Sequence, residues 1–170
     1  MNILLTGKPH SGKSTLIRNV VDGIEKKQGF LTQELVAGGR RTGFELVSAL
    51  GDHALLAGEN LSGPHRVSRY GVDVSNLEAF LAKLPEPNED DLLYVDEIGQ
   101  MQLLSDVFKR YVEDCLDATN LFIGTLTSVH HDDFTNALRS RDDVEVIELT
   151  VDTRNAIQDI VTAKIAEGAR

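Results

Sequence analysis

Residues 7–14 read Gly7-Lys8-Pro9-His10-Ser11-Gly12-Lys13-Ser14, the spacing G-x-x-x-x-G-K-[ST]. An apolar run, Ile3-Leu4-Leu5, precedes them, and a helix-forming run begins at Ser14. Strand, glycine-rich loop and helix in that order make a phosphate-binding loop. A polyphosphate needs many donors close together. The two glycines let backbone N–H groups turn inward, and the helix start adds roughly half a unit of positive charge. Lys13 then reaches the β and γ phosphates, and the Ser14 hydroxyl is placed to ligate Mg2+. The loop therefore demands a β–loop–α unit at the start of the chain and predicts nucleotide binding.

Further along, hydrophobic spacing sets the remaining elements. Leu16, Ile17, Val20, Val21 and Ile24 recur at helical intervals, so residues 14–27 read as a helix ended by Gly29. Three short β-like runs follow, at 30–36, 43–50 and 52–57, with a turn at Gly38-Gly39-Arg40-Arg41. They predict an antiparallel hairpin or meander inserted between the first strand and a later one. Residues 61–74 read as loop and 76–83 as a short helix capped by Ser75. Leu92-Leu93-Tyr94-Val95 reads as a buried strand running into Asp96-Glu97. A helix from Ser105 to Leu116, a strand ending near Thr125 and Thr127, a helix at 133–140, a strand at 144–149 and a helix at 155–166 complete the pattern. Strands alternating with helices predict an α/β fold: a three-layer α/β/α sandwich of the P-loop NTPase kind, its sheet mainly parallel with an antiparallel hairpin insertion. Residues 1–170 read as one domain.

A phosphate loop needs a metal partner, and an apolar strand ending in Asp supplies one. Asp96 fits, as a residue that helps hold the Mg2+ bridging β and γ oxygens. Glu97 beside it is placed to orient or deprotonate an attacking water, which a kinase does not need. The pair tilts the reading from phosphoryl transfer toward hydrolysis. Either Thr125 or Thr127 can stand near the γ-phosphate. Arg40, Arg41, Arg66, Arg69, Arg139, Arg141 and Arg154 are candidates to stabilise developing charge, and spacing does not choose among them. His130-His131-Asp132-Asp133 is metal-like in composition, yet four adjacent residues converge poorly on one ion, so no metal is assigned there. Cys115 falls on the apolar face of a helix and reads as core.

Charge narrows the partners. The formal net charge is −10, which argues against duplex nucleic acid, since that affinity needs clustered Lys and Arg. It also repels a free nucleotide, but screening limits that to about 8 Å at physiological salt. No apolar run reaches about 18 residues, so no membrane span is expected. No secretory pattern stands at the N-terminus, and one cysteine fits a reducing compartment. A cytoplasmic protein acting on nucleoside triphosphates is expected, with protein partners left open.

Beyond the loop, several segments resemble the cancer-related nucleoside-triphosphatase family of small P-loop NTPases. Gly29-Phe30-Leu31-Thr32-Gln33-Glu34 is similar to its Gly-Phe-x-Thr-x-Glu, and Gly39-Arg40-Arg41-Thr42-Gly43-Phe44 to its Gly-x-Arg-x-Gly-Phe. The stretch from Arg66 to Asp73, the run Asp96-Glu97-Ile98-Gly99-Gln100-Met101, Gly124-Thr125 and Thr150 through Asn155 follow in the family's order. The resemblance covers nearly the whole chain. It implies Mg2+-dependent hydrolysis of ATP, GTP and other nucleoside triphosphates to diphosphate and phosphate. It also implies Glu97 and Lys13 as catalytic residues and Ser14 and Asp96 as metal ligands. The nucleotide-binding set is then Gly7, Lys8, Pro9, His10, Ser11, Gly12, Lys13, Ser14, Thr15 and Arg154. The chain departs from the family at His10, Val36, Gln100, Gln102 and Thr153, which bears on rate and base preference. The alternatives are a P-loop nucleotide or small-molecule kinase and a nucleotide-gated switch.

Overall fold

In a computed structural model that describes residues 1–169, the elements run β1 (Asn2–Thr6), α1 (Lys13–Asp22), β2 (Lys27–Ala37), β3 (Arg40–Ser48), β4 (His53–Gly58), β5 (Arg66–Val67), β6 (Tyr70–Val72) and α2 (Val74–Lys83), followed by β7 (Leu92–Ile98), α3 (Asp106–Asp117), β8 (Phe122–Leu126), α4 (Asp133–Arg139), β9 (Val144–Glu148) and α5 (Arg154–Gly168). One nine-stranded sheet is ordered β5-β6-β4-β3-β2-β7-β8-β1-β9. Strands β2, β7, β8, β1 and β9 pair in parallel. From β2 outward, β3, β4, β6 and β5 pair antiparallel.

The alternation of side chains along a strand splits the core into two layers. Ile3 and Leu5 point to one face, where they pack with Leu16, Ile17, Val20 and Val21 of α1 and with Val161 and Ile165 of α5. Leu4 points to the other, with Phe30, Val95 and Phe122 against Leu77 and Phe80 of α2 and Phe108 and Val112 of α3. Phe30 and Phe80 meet edge to face, with ring centroids 5.6 Å apart. Helices therefore cover both faces of the sheet, giving the three-layer sandwich.

The antiparallel region is the expected meander between β1 and β7, and it continues the parallel sheet. β2 belongs to both halves: Lys27 to Phe30 pair with Leu92 to Val95 of β7, while Phe30 to Ala37 pair with β3. This shortens the expected helix. α1 ends at Asp22 because residues 27–30 are drawn into the sheet, and Lys27 Nζ donates to the Val21 carbonyl at the helix end. Gly29 is thus a strand residue, not a helix terminator. A Cβ on Gly29 would sit 1.9 Å from the Tyr94 carbonyl oxygen.

Two smaller expectations also change. The stretch read as loop contains β5 and β6, which are too short to show periodicity. They are held by Tyr70, whose ring packs against Phe44 at 5.3 Å. The cap of α2 is Asp73 rather than Ser75: its carboxylate accepts from the Asn76 backbone N–H at 2.9 Å. The caps of α3 and α4 are Ser105 and Asp132. No helix among the described residues is long and apolar enough to cross a membrane.

Gly29→Ala is expected to destabilise the fold by at least about 3 kcal/mol, since neither β2 nor β7 can move from a buried parallel ladder. Urea unfolding checks this. A shift within about 0.5 kcal/mol would mean that the β2–β7 contact is looser than the register implies.

Candidate active site

The phosphate loop leaves β1 at Thr6 and enters α1 at Lys13. Gly12, at φ 102°, caps the helix in a conformation that L side chains rarely adopt, and its carbonyl accepts from the Leu16 N–H at 2.9 Å. The Ser11 N–H donates to the Lys8 carbonyl at 3.1 Å, closing the loop. His10, which stands where the resembling family often has glycine, takes φ 65°. Lys8, Pro9, His10, Ser14 and Thr15 are exposed or partly so, whereas Ser11 is buried and its Oγ has no partner. Lys13 Nζ donates to the Gly7 carbonyl at 2.6 Å and to the Lys8 carbonyl at 3.3 Å. The ammonium thus lies inside the loop it belongs to.

Asp96 sits opposite, near the end of β7. The register Val95↔Gly124 and Leu5↔Thr125 brings β7, β8 and β1 to one level, so their carboxyl ends meet at the loop. Asp96 Oδ1 accepts from Ser14 Oγ at 3.0 Å and from Thr125 Oγ1 at 2.6 Å. The residue is only 1% exposed, and its Oδ2 has no partner. Of the two threonines, Thr125 serves the carboxylate. Thr127 instead continues the strand end, its N–H donating to the Ile98 carbonyl at 3.1 Å and its Oγ1 accepting from Val129.

The electrostatics are those of charges taken from water. Burial raises the Asp96 pKa, opposed by the hydroxyls of Thr125 and Ser14 and by the charges of Arg18 and Lys13. Burial also raises the Glu97 pKa, and the neighbouring Asp96 charge adds to this while Lys13 opposes it. Lys13 shifts down, mainly through burial, against the pull of Glu97 and Asp96. A divalent cation fits this donor set. Ser14 Oγ and Asp96 already converge, and one carboxylate oxygen is unused. Mg2+ keeps several waters and binds through few protein oxygens plus phosphates. No group of three or more His, Cys, Asp or Glu side chains able to hold a metal occurs among the described residues.

The arginines separate by what they touch. Arg40, Arg41, Arg69 and Arg141 are paired with carboxylates, and Arg66 donates to the carbonyls of Leu61 and Arg69. Arg139 donates through one nitrogen to the Thr127 carbonyl at 2.5 Å, while its other terminal nitrogen is buried without a partner. Arg154 opens α5 and lies over the loop: its Cδ and Nη1 are 3.0 and 3.5 Å from where a Cβ on Gly12 would stand. Arg18, which the sequence did not single out, is with Lys13 one of two cations of α1 that lower the Asp96 pKa. The signal was its position four residues after Ser14. In the His130–Asp133 segment, Asp132 caps α4 by accepting from the Thr135 N–H at 2.7 Å, and His130 Nε2 lies 3.2 Å from the same carboxylate. Cys115 is buried, its thiol pushed up to about 12 chiefly by burial.

A sequence profile described as NTPase matches residues 2–162 of the chain. The chain belongs to the NTPase family. Among its relatives, the nucleoside-triphosphatase THEP1 of Thermotoga maritima is 36% identical over 159 residues, covering 92% of this chain and 91% of the relative. The crystal structure of THEP1 from Aquifex aeolicus superposes with a TM-score of 0.83 at 26% identity, over 97% of this chain and 99% of that one. The solution structure of a human cancer-related nucleoside triphosphatase gives a TM-score of 0.77 at 31% identity, over 96% of each chain. The NTPase family resemblance seen in the motifs therefore extends to the whole fold.

For buried Asp96 and half-buried Glu97 alike, the folded pKa lies above the unfolded one. Ionisation then costs stability in full above the folded value, and the cost vanishes below the unfolded one. Glu97→Gln is expected to stabilise the nucleotide-free chain by about 1 kcal/mol at about pH 8, with the gain shrinking on acidification toward about pH 4. Melting temperatures of the two proteins across that range check this. No gain at the upper end, or a gain that grows on acidification, contradicts the burial of a charged Glu97.

Proposed function

We propose that this chain is a Mg2+-dependent nucleoside-triphosphatase that hydrolyses ATP, GTP and other nucleoside triphosphates to the diphosphate and phosphate. The observation that carries the reading is the adjacency of two carboxylates with different surroundings. Asp96 is tied to Ser14 and Thr125, whereas Glu97, beside it and with no hydrogen-bond partner among the described residues, has its proton affinity raised by burial. The first suits a metal-linked acid and the second a base. The relatives' names as nucleoside-triphosphatases support the same activity.

In this reading the backbone N–H groups of the loop, Pro9 having none, receive the phosphates, and Lys13 leaves the Gly7 and Lys8 carbonyls to pair with β and γ oxygens. Ser14 and Asp96 would hold Mg2+, which when bound neutralises charge developing on the β and γ oxygens. Glu97 orients a water in line with the γ-phosphorus and takes its proton as the new P–O bond forms. The bond from phosphorus to the bridging oxygen breaks, and the electron pair leaves with the nucleoside diphosphate. Arg154, lying over Gly12 of the loop, supplies a further charge there. Residues 1–170 act as one domain. We also assign the protein to the cytoplasm, where nucleoside triphosphates are supplied and a lone cysteine stays reduced.

Two substitutions test the assignment. Lys13→Ala is expected to reduce turnover at least about 100-fold by removing a charge aimed at the transferred phosphate. Unchanged phosphate release at saturating nucleotide would remove the loop from the mechanism. Glu97→Gln keeps shape and loses the base, so kcat is expected to fall roughly 100-fold or more with Mg–nucleotide affinity within a few-fold. Weaker binding with kcat intact would make Glu97 a binding carboxylate. Label from the γ-phosphate appearing on an added acceptor, instead of in phosphate, would mark the chain as a kinase.

A further inference from the structure

Gly99 is the first residue beyond β7, two after Glu97. It is buried, and the Glu97 carboxylate takes the space where a side chain would stand. A Cβ on Gly99 would lie 2.6 Å from Glu97 Oε1, 2.8 Å from its Cδ and 2.9 Å from its Cγ. These are the three atoms nearest that point outside Gly99 and its chain neighbours. The φ of Gly99 is not positive, so space and not backbone strain excludes a side chain there. The backbone is held on both sides. The buried Ile98 offers its carbonyl to the Thr127 N–H at 3.1 Å, and the Gly99 carbonyl accepts from the Leu103 N–H at 2.9 Å. Were a Cβ present, the part free to give way would be the Glu97 side chain, which has several rotatable bonds. No hydrogen bond holds its carboxylate among the described residues, so shape places it.

We propose that Gly99 is a positioning residue for hydrolysis: its missing side chain is the seat of the Glu97 carboxylate and sets where that carboxylate meets the attacking water. This rests on the reading of Glu97 as the base. A base must lie within hydrogen-bond reach of the proton it takes. Carbon comes into ordinary van der Waals contact at 3.4–4 Å, so a methyl group at residue 99 drives Oε1 back by roughly 0.8 Å. A misplacement of about 1 Å can cost on the order of 100-fold in rate. The phosphate loop and Asp96 supply none of the three atoms nearest the added methyl, so the displacement falls on the reacting carboxylate and not on the groups that hold the nucleotide.

The test compares the unsubstituted chain with Gly99→Ala, Glu97→Ala and the two together. Single-turnover release of phosphate from γ-labelled ATP with Mg2+ gives the rate, and mant-ADP with Mg2+, a fluorescent nucleoside diphosphate, gives the Kd. Gly99→Ala is expected to slow hydrolysis about 10- to 100-fold with Kd within about threefold. Glu97→Ala removes Cγ and everything beyond it. In that background Gly99→Ala is expected to change the remaining rate by less than about twofold, as for residues that act as one unit. A merely structural role would slow both backgrounds alike, and that result overturns the proposal. So does a Gly99→Ala rate that is unchanged or raised. Loss of the folded state on Gly99→Ala, read by circular dichroism, also overturns it, because the carboxylate is then not the part that gives way. Slow hydrolysis by Glu97→Ala beside full hydrolysis by Gly99→Ala removes this proposal alone. Full hydrolysis by Glu97→Ala removes the base, and with it both the reading of Glu97 and the seat.

Discussion

One carboxylate oxygen holds the site together. Asp96 Oδ1 takes hydroxyl donors from Ser14 at the start of α1 and from Thr125 in β8, while Asp96 itself belongs to β7. Three elements far apart in the chain are thereby tied at one buried atom. Hydrogen bonds to a charged acceptor contribute about 1.5–3 kcal/mol each, and here they act where water is excluded. They offset the burial that raises the Asp96 pKa. The same atom fixes where the phosphate loop stands relative to Glu97, so the geometry of the reacting groups and the packing of α1 against the sheet share one support.

The sheet explains why those groups meet at all. Parallel strands β1, β7 and β8 end at a common edge, and ligands of open α/β sheets bind outside such carboxyl ends. The antiparallel half continues the same sheet through β2, which pairs with β7 over its first residues and with β3 over the rest. A cavity of about 780 Å3 lies elsewhere, lined by Gly23 and Ile24 after α1, Leu92 at the start of β7 and Ala166 in α5. Enclosure is a poor guide in this fold. A phosphate loop binds through backbone donors and charge, which need no deep enclosure.

What the sequence made legible is what depends on neighbours along the chain. The loop from Gly7 to Ser14 is a local object, and an apolar strand ending in Asp96-Glu97 is nearly so. Both therefore appear where spacing put them, as does the cap at Ser105. Features set by distant contacts were not readable. Gly29 looked like a helix terminator because its reason for being glycine, the Tyr94 carbonyl, lies 65 residues away in the sequence. Residues 66–72 looked like loop because strands of two and three residues carry no period. The choice between Thr125 and Thr127 needed the register of β7 on β8. The arginines could be sorted only once their partners were visible: Arg40, Arg41, Arg69 and Arg141 pair with carboxylates, Arg66 and Arg139 donate to backbone carbonyls, and Arg154 remains against Gly12.

Charged groups held away from water cost the fold stability. Burial raises the pKa of Asp96 and Glu97 and lowers that of Lys13, so all three are held in an environment that disfavours their charged forms. Lys13 settles for carbonyls, with Gly7 at 2.6 Å, and Asp96 leaves one oxygen unpartnered. A fold optimised for stability alone would not retain this arrangement, since replacing a buried charge commonly stabilises a protein. A nucleotide's phosphates offer Lys13 an anion in place of a neutral carbonyl, and a divalent cation offers Asp96 a partner for its free oxygen. The ligand then supplies charges that the empty site lacks, and binding free energy comes from relieving a strain that folding leaves in place. Burial and the neighbouring Asp96 charge raise the proton affinity of Glu97, which in the proposed reaction suits it to take a proton from water.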